Sequence, residues 1–226
     1  MKKNIFIDFA IPLATGVILT AVIYWTNGDM EIEKWFYAAG RGWFSGQASP
    51  WYFLYHYGNI PAISLCAAAL VVFILSFFRQ ACLPFRKSAL FLVVFLVLGP
   101  GLLVNTVLKD HWGRPRPADI VNFGGKAPFH QVWERGQAGQ GKSFPSGHAS
   151  VGFFLFAPYF ILRMTSRKWA MFFLALGIFY GLLMGTGRMI QGGHFLSDVL
   201  WAGVLTYMTG IVLYYVFRLD REMCRS

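Results

Sequence analysis

Six stretches of the chain are almost purely apolar, at residues 5–25, 59–78, 88–108, 149–162, 169–186 and 195–217, and the polar and charged residues gather between them. Each approaches the roughly 20 residues a helix needs to cross a bilayer core. The fourth is short and extends back into the polar motif before it. The pattern predicts an all-α integral membrane protein with six transmembrane helices, and an even number of spans puts both termini on one side. Gly99-Pro100-Gly101 interrupts the third run and is expected to kink it. With no internal repeat and no low-complexity segment, residues 1–226 read as a single six-helix membrane domain.

Composition agrees with a membrane setting. Of 226 residues 56% are hydrophobic, 18% aromatic and only 13% charged, against about a quarter charged in soluble domains. The formal charge of +10 does not imply nucleic acid, because the basic residues fall between the apolar runs and form no single stripe; membrane topology and anionic ligands account for them better. Lys2 and Lys3, then Arg79, Arg86 and Lys87, then Arg163, Arg167 and Lys168, then Arg218, Arg221 and Arg225 occupy alternate connections. The positive-inside rule makes these cytoplasmic. Residues 26–58, 109–148 and 187–194 then face the other side.

The N-terminal run is longer than the 7–15 apolar residues of a signal-peptide core and lacks a small-residue cleavage site, so it reads as an uncleaved signal anchor. Cys66, Cys82 and Cys224 share no repeated spacing, and neither a disulfide framework nor a thiolate metal site is expected. In the first outer loop, residues 30–39 fit a short amphipathic helix, and the aromatic residues 51–55 suit the headgroup layer. The glycine-rich segment 123–141 is expected to be mobile.

The outer side holds the chemistry. His56, His111, His130, His148 and His194 all fall on or beside it, together with Lys109, Arg114, Arg116, Lys126, Arg135, Lys142 and Arg188. Cations there run against the topology rule, and a functional anion site accounts for them. Guanidinium groups match two phosphate oxygens at once and an ammonium supplies a compact charge. Pro145-Ser146-Gly147-His148 precedes a helix, where free backbone N–H groups and a hydroxyl can hold further oxygens. If residues 194–198 are helical, His194 and Asp198 share a face and the carboxylate can accept a hydrogen bond from the imidazole. Such a pair fixes one tautomer and makes the other ring nitrogen more nucleophilic. Each stretch alone also fits an ordinary polar helix end; the three together, on one predicted membrane face, point to phosphoryl chemistry.

The three stretches resemble the motifs of the type 2 phosphatidic acid phosphatases. Lys109 to Pro117 matches lysine, six residues, Arg-Pro, with Arg116 as the arginine; Pro145 to His148 matches Pro-Ser-Gly-His; and Arg188, His194 and Asp198 match the spacing of Ser-Arg, five residues, His, three residues, Asp. Gly187 stands where that family carries serine. Residues 188–198 look most like the lipid A phosphatase branch.

The resemblance implies that His194 attacks phosphorus and becomes a phosphohistidine. Asp198 would fix its tautomer, while His148 protonates the leaving group and then activates water. Lys109, Arg116 and Arg188, with Ser146 and the Gly147 amide, would hold the equatorial oxygens. No metal and no cofactor are expected.

Arg114 and His111 lie near the clamp, either against substrate or in solvated loop. The implied activity is metal-independent hydrolysis of a membrane lipid phosphate, with lipid A favoured, undecaprenyl pyrophosphate or phosphatidylglycerophosphate next, and phosphatidic acid also open. Phosphotransfer to lipid A, or non-catalytic lipid phosphate binding or transport, are the alternatives. The expected partners are the bilayer and the lipid substrate, with no nucleic acid and no obligatory protein. The expected location is a bacterial inner membrane, with both termini cytoplasmic and the site periplasmic.

Overall fold

The structure is a computed structural model that describes residues 5–219, and among them all regular structure is helical. Lys2, Lys3, Arg221, Cys224 and Arg225 lie outside the described residues. In chain order come α1 (Ile5–Trp25), α2 (Gly28–Phe36), α3 (Trp51–Tyr57), α4 (Ile60–Leu75) and α5 (Arg86–Leu96). The last continues through a π-helical segment, Val97–Leu108, into α6 (Lys109–Trp112). Then follow α7 (Gly147–Phe153), α8 (Ala157–Leu162), α9 (Arg167–Ile190) and α10 (Leu196–Val216).

Among the described residues five helical stretches, not the expected six, are long and apolar enough to cross a membrane: Ile5–Trp25, Trp51–Leu75, Gln80–Asp119, Arg167–Ile190 and Leu196–Val216. The fourth apolar run forms the shorter stretch Gly147–Leu162. A 3-10 turn at Phe154–Phe156 interrupts it, just before Pro158 in the first turn of α8. A proline there offers no N–H to the preceding turn, so α7 and α8 cannot fuse into one regular helix. Large apolar side chains cover the outside of the bundle, with Phe6 76% and Trp25 80% exposed. A bilayer tolerates such a surface where water does not. The chain is an integral membrane protein.

The break at Gly99-Pro100-Gly101 takes the form of a widened turn rather than a sharp kink. Pro100 has no N–H to give, and two carbonyls in this stretch are served by side chains further on: Asn105 Nδ2 donates to the Pro100 carbonyl at 2.7 Å and Thr106 Oγ1 to the Gly101 carbonyl at 3.2 Å. Side-chain donors thereby stabilise the π-helical path that delivers Lys109 to the end of the bundle.

The core is aromatic, with Phe91, Phe95, Phe154, Phe156 and Phe160 at 2% exposure or less. α9 enters it through Gly177, Gly181 and Gly185, one residue per turn on a single face. A methyl group at these positions would lie 2.3 Å from Phe156, Phe153 and Val199 respectively. Small residues at that spacing let helix backbones approach closely, and here they bring α9 onto α7, α8 and α10.

Polar contacts then divide between the two ends. At one, Arg163 donates to both carboxylate oxygens of Asp8 at 2.8 and 3.0 Å, and Tyr215 Oη donates to Asp8 at 2.6 Å. This joins α1, the end of α8 and α10. At the other end α2, α3, α6, the starts of α7 and α10 and the end of α9 converge. Asp8→Ala leaves a guanidinium and a hydroxyl without their acceptor and is expected to destabilise the fold by about 1–3 kcal/mol. The melting midpoint in detergent reads this, and Asp8→Ala with Arg163→Leu should recover part of the loss.

Candidate active site

Helix α10 begins one residue after Phe195, whose backbone N–H donates to Asp198 Oδ2 at 2.8 Å. The carboxylate thus caps its own helix, and His194 lies in the turn outside it. The expected direct His194–Asp198 hydrogen bond is absent as a consequence: Nδ1 is 3.9 Å from Asp198 Oδ2 and 2.5 Å from the Ser143 carbonyl oxygen. A carbonyl can only accept, so Nδ1 carries the proton and Nε2 keeps a free lone pair. Ser143 links the two residues instead, its hydroxyl donating to Asp198 Oδ2 at 2.6 Å. His194 is 1% exposed. Burial, with Lys109 and Arg188 nearby, holds its pKa well below the usual imidazole range, so the ring is neutral.

The other oxygen of Asp198 faces Arg114, the residue left between substrate contact and solvated loop. It is neither. Arg114 is fully buried; Nη1 donates to Asp198 Oδ1 at 2.6 Å and to Ser197 Oγ at 2.8 Å, Nη2 to Asp29 Oδ2 at 2.8 Å, and Nε to the His130 carbonyl at 3.0 Å. The guanidinium also stacks 4.5 Å over the Phe195 ring. Asp29 in turn accepts the Ser197 N–H at 2.8 Å and the Ser197 hydroxyl at 2.6 Å. Sequence reasoning missed Asp29, whose only signal was its place on the inner face of the short amphipathic helix, four residues before Glu33. Glu33 is fully buried with neither carboxylate oxygen hydrogen-bonded. Burial first, then Asp29 and Asp198, push its pKa well above the carboxylate range, so it stays protonated.

Around His194 stand the expected phosphate-binding residues. Lys109, Arg188 and Arg116 all act on its electrostatics, and Lys109 and Arg188 likewise act on His148. Arg188 folds back from the last turn of α9 so closely that a side-chain carbon on Gly193 would meet Nη2 at 2.4 Å; the glycine is the room the guanidinium occupies. Gln191 Oε1 accepts from Arg188 Nη1 while its amide nitrogen donates to the Gly46 carbonyl at 3.1 Å. Gly147 begins α7 against the Asn105 side chain, where a methyl group would lie 2.0 Å from Oδ1.

Ser146 Oγ, Arg116 Nε and Arg188 Nε are buried without a hydrogen-bond partner. His111 is exposed, with Nδ1 on the Val107 carbonyl at 2.7 Å.

The segment 123–141, expected to be mobile, is tied to the motif beside it. Trp112 Nε1 donates to the Val132 carbonyl at 3.0 Å, the Gly136 and Gly139 amides donate to the Trp112 and Asp110 carbonyls at 3.0 Å, and the Ser143 amide donates to the Arg114 carbonyl at 3.0 Å. Among the described residues no three His, Cys, Asp or Glu side chains converge as metal ligands.

Residues 88–222 match the PAP2 superfamily. Among curated proteins, the chain is 40% identical over 141 residues to a lipid A 4'-phosphatase of Francisella tularensis subsp. novicida (strain U112), covering 62% of this chain and 63% of that one. It is 36% identical over 120 residues to a lipid A 4'-phosphatase of Rhizobium leguminosarum (53% and 48%). It is 27% identical over 139 residues to a phosphatidylglycerophosphatase B of Bacillus subtilis (strain 168), covering 59% of each. The matches thus span between about half and under two thirds of these relatives. No solved structure matches the chain.

Arg114→Leu strands two buried carboxylates and is expected to cost about 3–5 kcal/mol, seen as loss of the monodisperse species on size exclusion. Glu33→Gln replaces a neutral acid with a neutral amide of the same shape and should leave the melting midpoint unchanged; a fall of several degrees would show that the carboxyl is charged.

Proposed function

This chain belongs to the PAP2 superfamily, and we propose that it is a lipid phosphate phosphatase acting through a phosphohistidine. The observation that carries this reading is the set of donors around a neutral His194. Arg116 Nε, Arg188 Nε and Ser146 Oγ are buried and unpaired, an arrangement that costs free energy unless an acceptor completes it. A phosphoryl group offers three acceptor oxygens carrying negative charge.

In this reading His194 Nε2 attacks phosphorus in line while the bond to the leaving oxygen breaks. Charge spreading over the equatorial oxygens is held by Lys109, Arg116, Arg188, Ser146 and the Gly147 amide. The Nδ1–H bond to Ser143 keeps the imidazolium formed in this step oriented, and Asp198 stabilises it through Ser143 and the local field. His148 gives its proton to the leaving oxygen, then takes one from the water that cleaves the N–P bond. The three cations supply the charge stabilisation that a metal ion supplies in other phosphoryl-transfer sites, so the mechanism is metal-independent.

The substrate we favour is lipid A, because the names of two of the most similar relatives specify it; the name of a third specifies phosphatidylglycerophosphate. The clamp sits at the end of the bundle opposite Arg163, where the short basic connections lie. That arrangement supports six crossings in one domain spanning residues 1–226, with Gly147–Leu162 as the short fourth, both termini cytoplasmic and the site at the periplasmic face of a bacterial inner membrane.

The test is phosphate release by purified protein from 32P-labelled lipid A, phosphatidylglycerophosphate, undecaprenyl pyrophosphate and phosphatidic acid. Free phosphate is the expected product; label on a second lipid means transfer instead, and no turnover of any of the four overturns the reading. His194→Ala should abolish release, and Arg188→Ala should lower kcat about 10²–10³-fold. Because His194 is held neutral, the acidic limb of kcat/KM should fall below the ordinary imidazole value of 6.5; an acidic limb at or above that value would contradict a buried neutral nucleophile.

A further inference from the structure

Helix α3 lies outside the region matched by the superfamily, yet it forms a wall of the site. It is held against α9 by Tyr180 Oη, which donates to the Gly58 carbonyl at 2.9 Å, and by Trp51, whose ring covers Gly187 with an ideal side-chain carbon only 3.4 Å away. At residue 187, where the resembled family carries serine, a side-chain carbon would meet the Trp51 ring at ordinary contact distance. One turn on from Trp51, the Tyr55 ring stacks on His148, with centroids 5.0 Å apart and planes within 20°. The Arg188 guanidinium carbon is 4.7 Å from the same ring's centroid.

Arg188 and His148 come from different helices, and each is the kind of group that must be fixed to act. Arg188 has one tether, Gln191, on Nη1, while its Nε is unpaired. A long guanidinium side chain carries substantial rotamer freedom, and a clamp that drifts does not stabilise charge where it develops. A protonated imidazole beside a guanidinium also repels it, and the electron-rich face of an aromatic ring offsets like charge of that kind.

We propose that Tyr55 is a positioning residue whose ring holds Arg188 and His148 in one geometry, so that the phosphate clamp and the proton donor act on the same phosphoryl group. This rests on the phosphatase reading above. Tyr55 need not touch the substrate; it acts through the two groups its ring contacts. The α3 wall then completes a site whose other parts lie in the second half of the chain.

The test replaces Tyr55 with phenylalanine and with mono-, di- and trifluorinated phenylalanines, which keep the shape of the ring and progressively withdraw its π density. Two quantities are read across the series: kcat and KM for phosphate release from lipid A in detergent, and the affinity for orthovanadate by calorimetry. Tyr55→Phe is expected within about twofold of the unmodified protein. The fluorinated series should lose kcat and orthovanadate affinity stepwise, reaching about tenfold, with KM for the lipid nearly constant. Tyr55→Leu should resemble the trifluorinated end.

A flat series overturns the proposal, since ring packing alone would be unaffected by fluorine. Loss already complete in Tyr55→Phe overturns it too, by assigning the role to the hydroxyl. If the unmodified protein turns over no lipid phosphate, the functional reading fails, while the orthovanadate affinities still decide whether the ring positions the clamp.

Discussion

The site depends on one buried arginine bridging two carboxylates. Arg114 joins Asp198, at the start of α10, to Asp29, on a short helix more than 160 residues away in sequence, and takes the His130 carbonyl on its third nitrogen. Removing ions from water is costly unless their hydrogen bonds are replaced, and here every oxygen of both carboxylates is occupied. Because the network is satisfied, it holds the first turn of α10 in one position. Ser143, which donates to Asp198, and His194, which bonds the Ser143 carbonyl, inherit that position.

A division of labour follows along the chain. The helices that match the superfamily bring the clamp and the two histidines. The segment between α1 and α4 brings Asp29 onto Arg114 and Ser197 and Tyr55 onto His148. The contrast between the two layers is electrostatic: on one side of His194 the Arg114, Asp29 and Asp198 groups are paired with one another, whereas on the other three donors have no protein partner. Preorganised donors of this kind stabilise charge that appears during reaction without rearranging first.

Much of this was legible in the sequence. The apolar runs place α1, α9 and α10 within a few residues, and the third run extends into α6 because Asn105 and Thr106 sustain the widened turn after Pro100. Pro158 was the visible reason that the fourth run would not form one long helix, but a count of apolar residues overlooks a missing N–H. The proposed clamp residues stood out because their cations fall in the connections where the positive-inside rule predicts few.

Asp29 and Glu33 were not found, because two acids on an amphipathic helix look the same whether they face water or an arginine from a distant loop. The direct contact expected between His194 and Asp198 failed for a local reason: Asp198 caps the helix, so the helix starts after His194 and the i, i+4 geometry never forms. Segment 123–141 reads as mobile from its glycines, but its amides and carbonyls are used by residues 110–114, a pairing that composition does not encode.

The proposed mechanism requires His194 to carry the phosphoryl group covalently. Rapid alkaline quenching of the unmodified protein during turnover of 32P-labelled lipid A, followed by peptide mass spectrometry, is the decisive measurement. A base-stable, acid-labile phosphate on His194 is the expected result, appearing before free phosphate and absent from His194→Ala. Steady phosphate release with residue 194 unmodified at every time point would contradict it and point to direct attack by water.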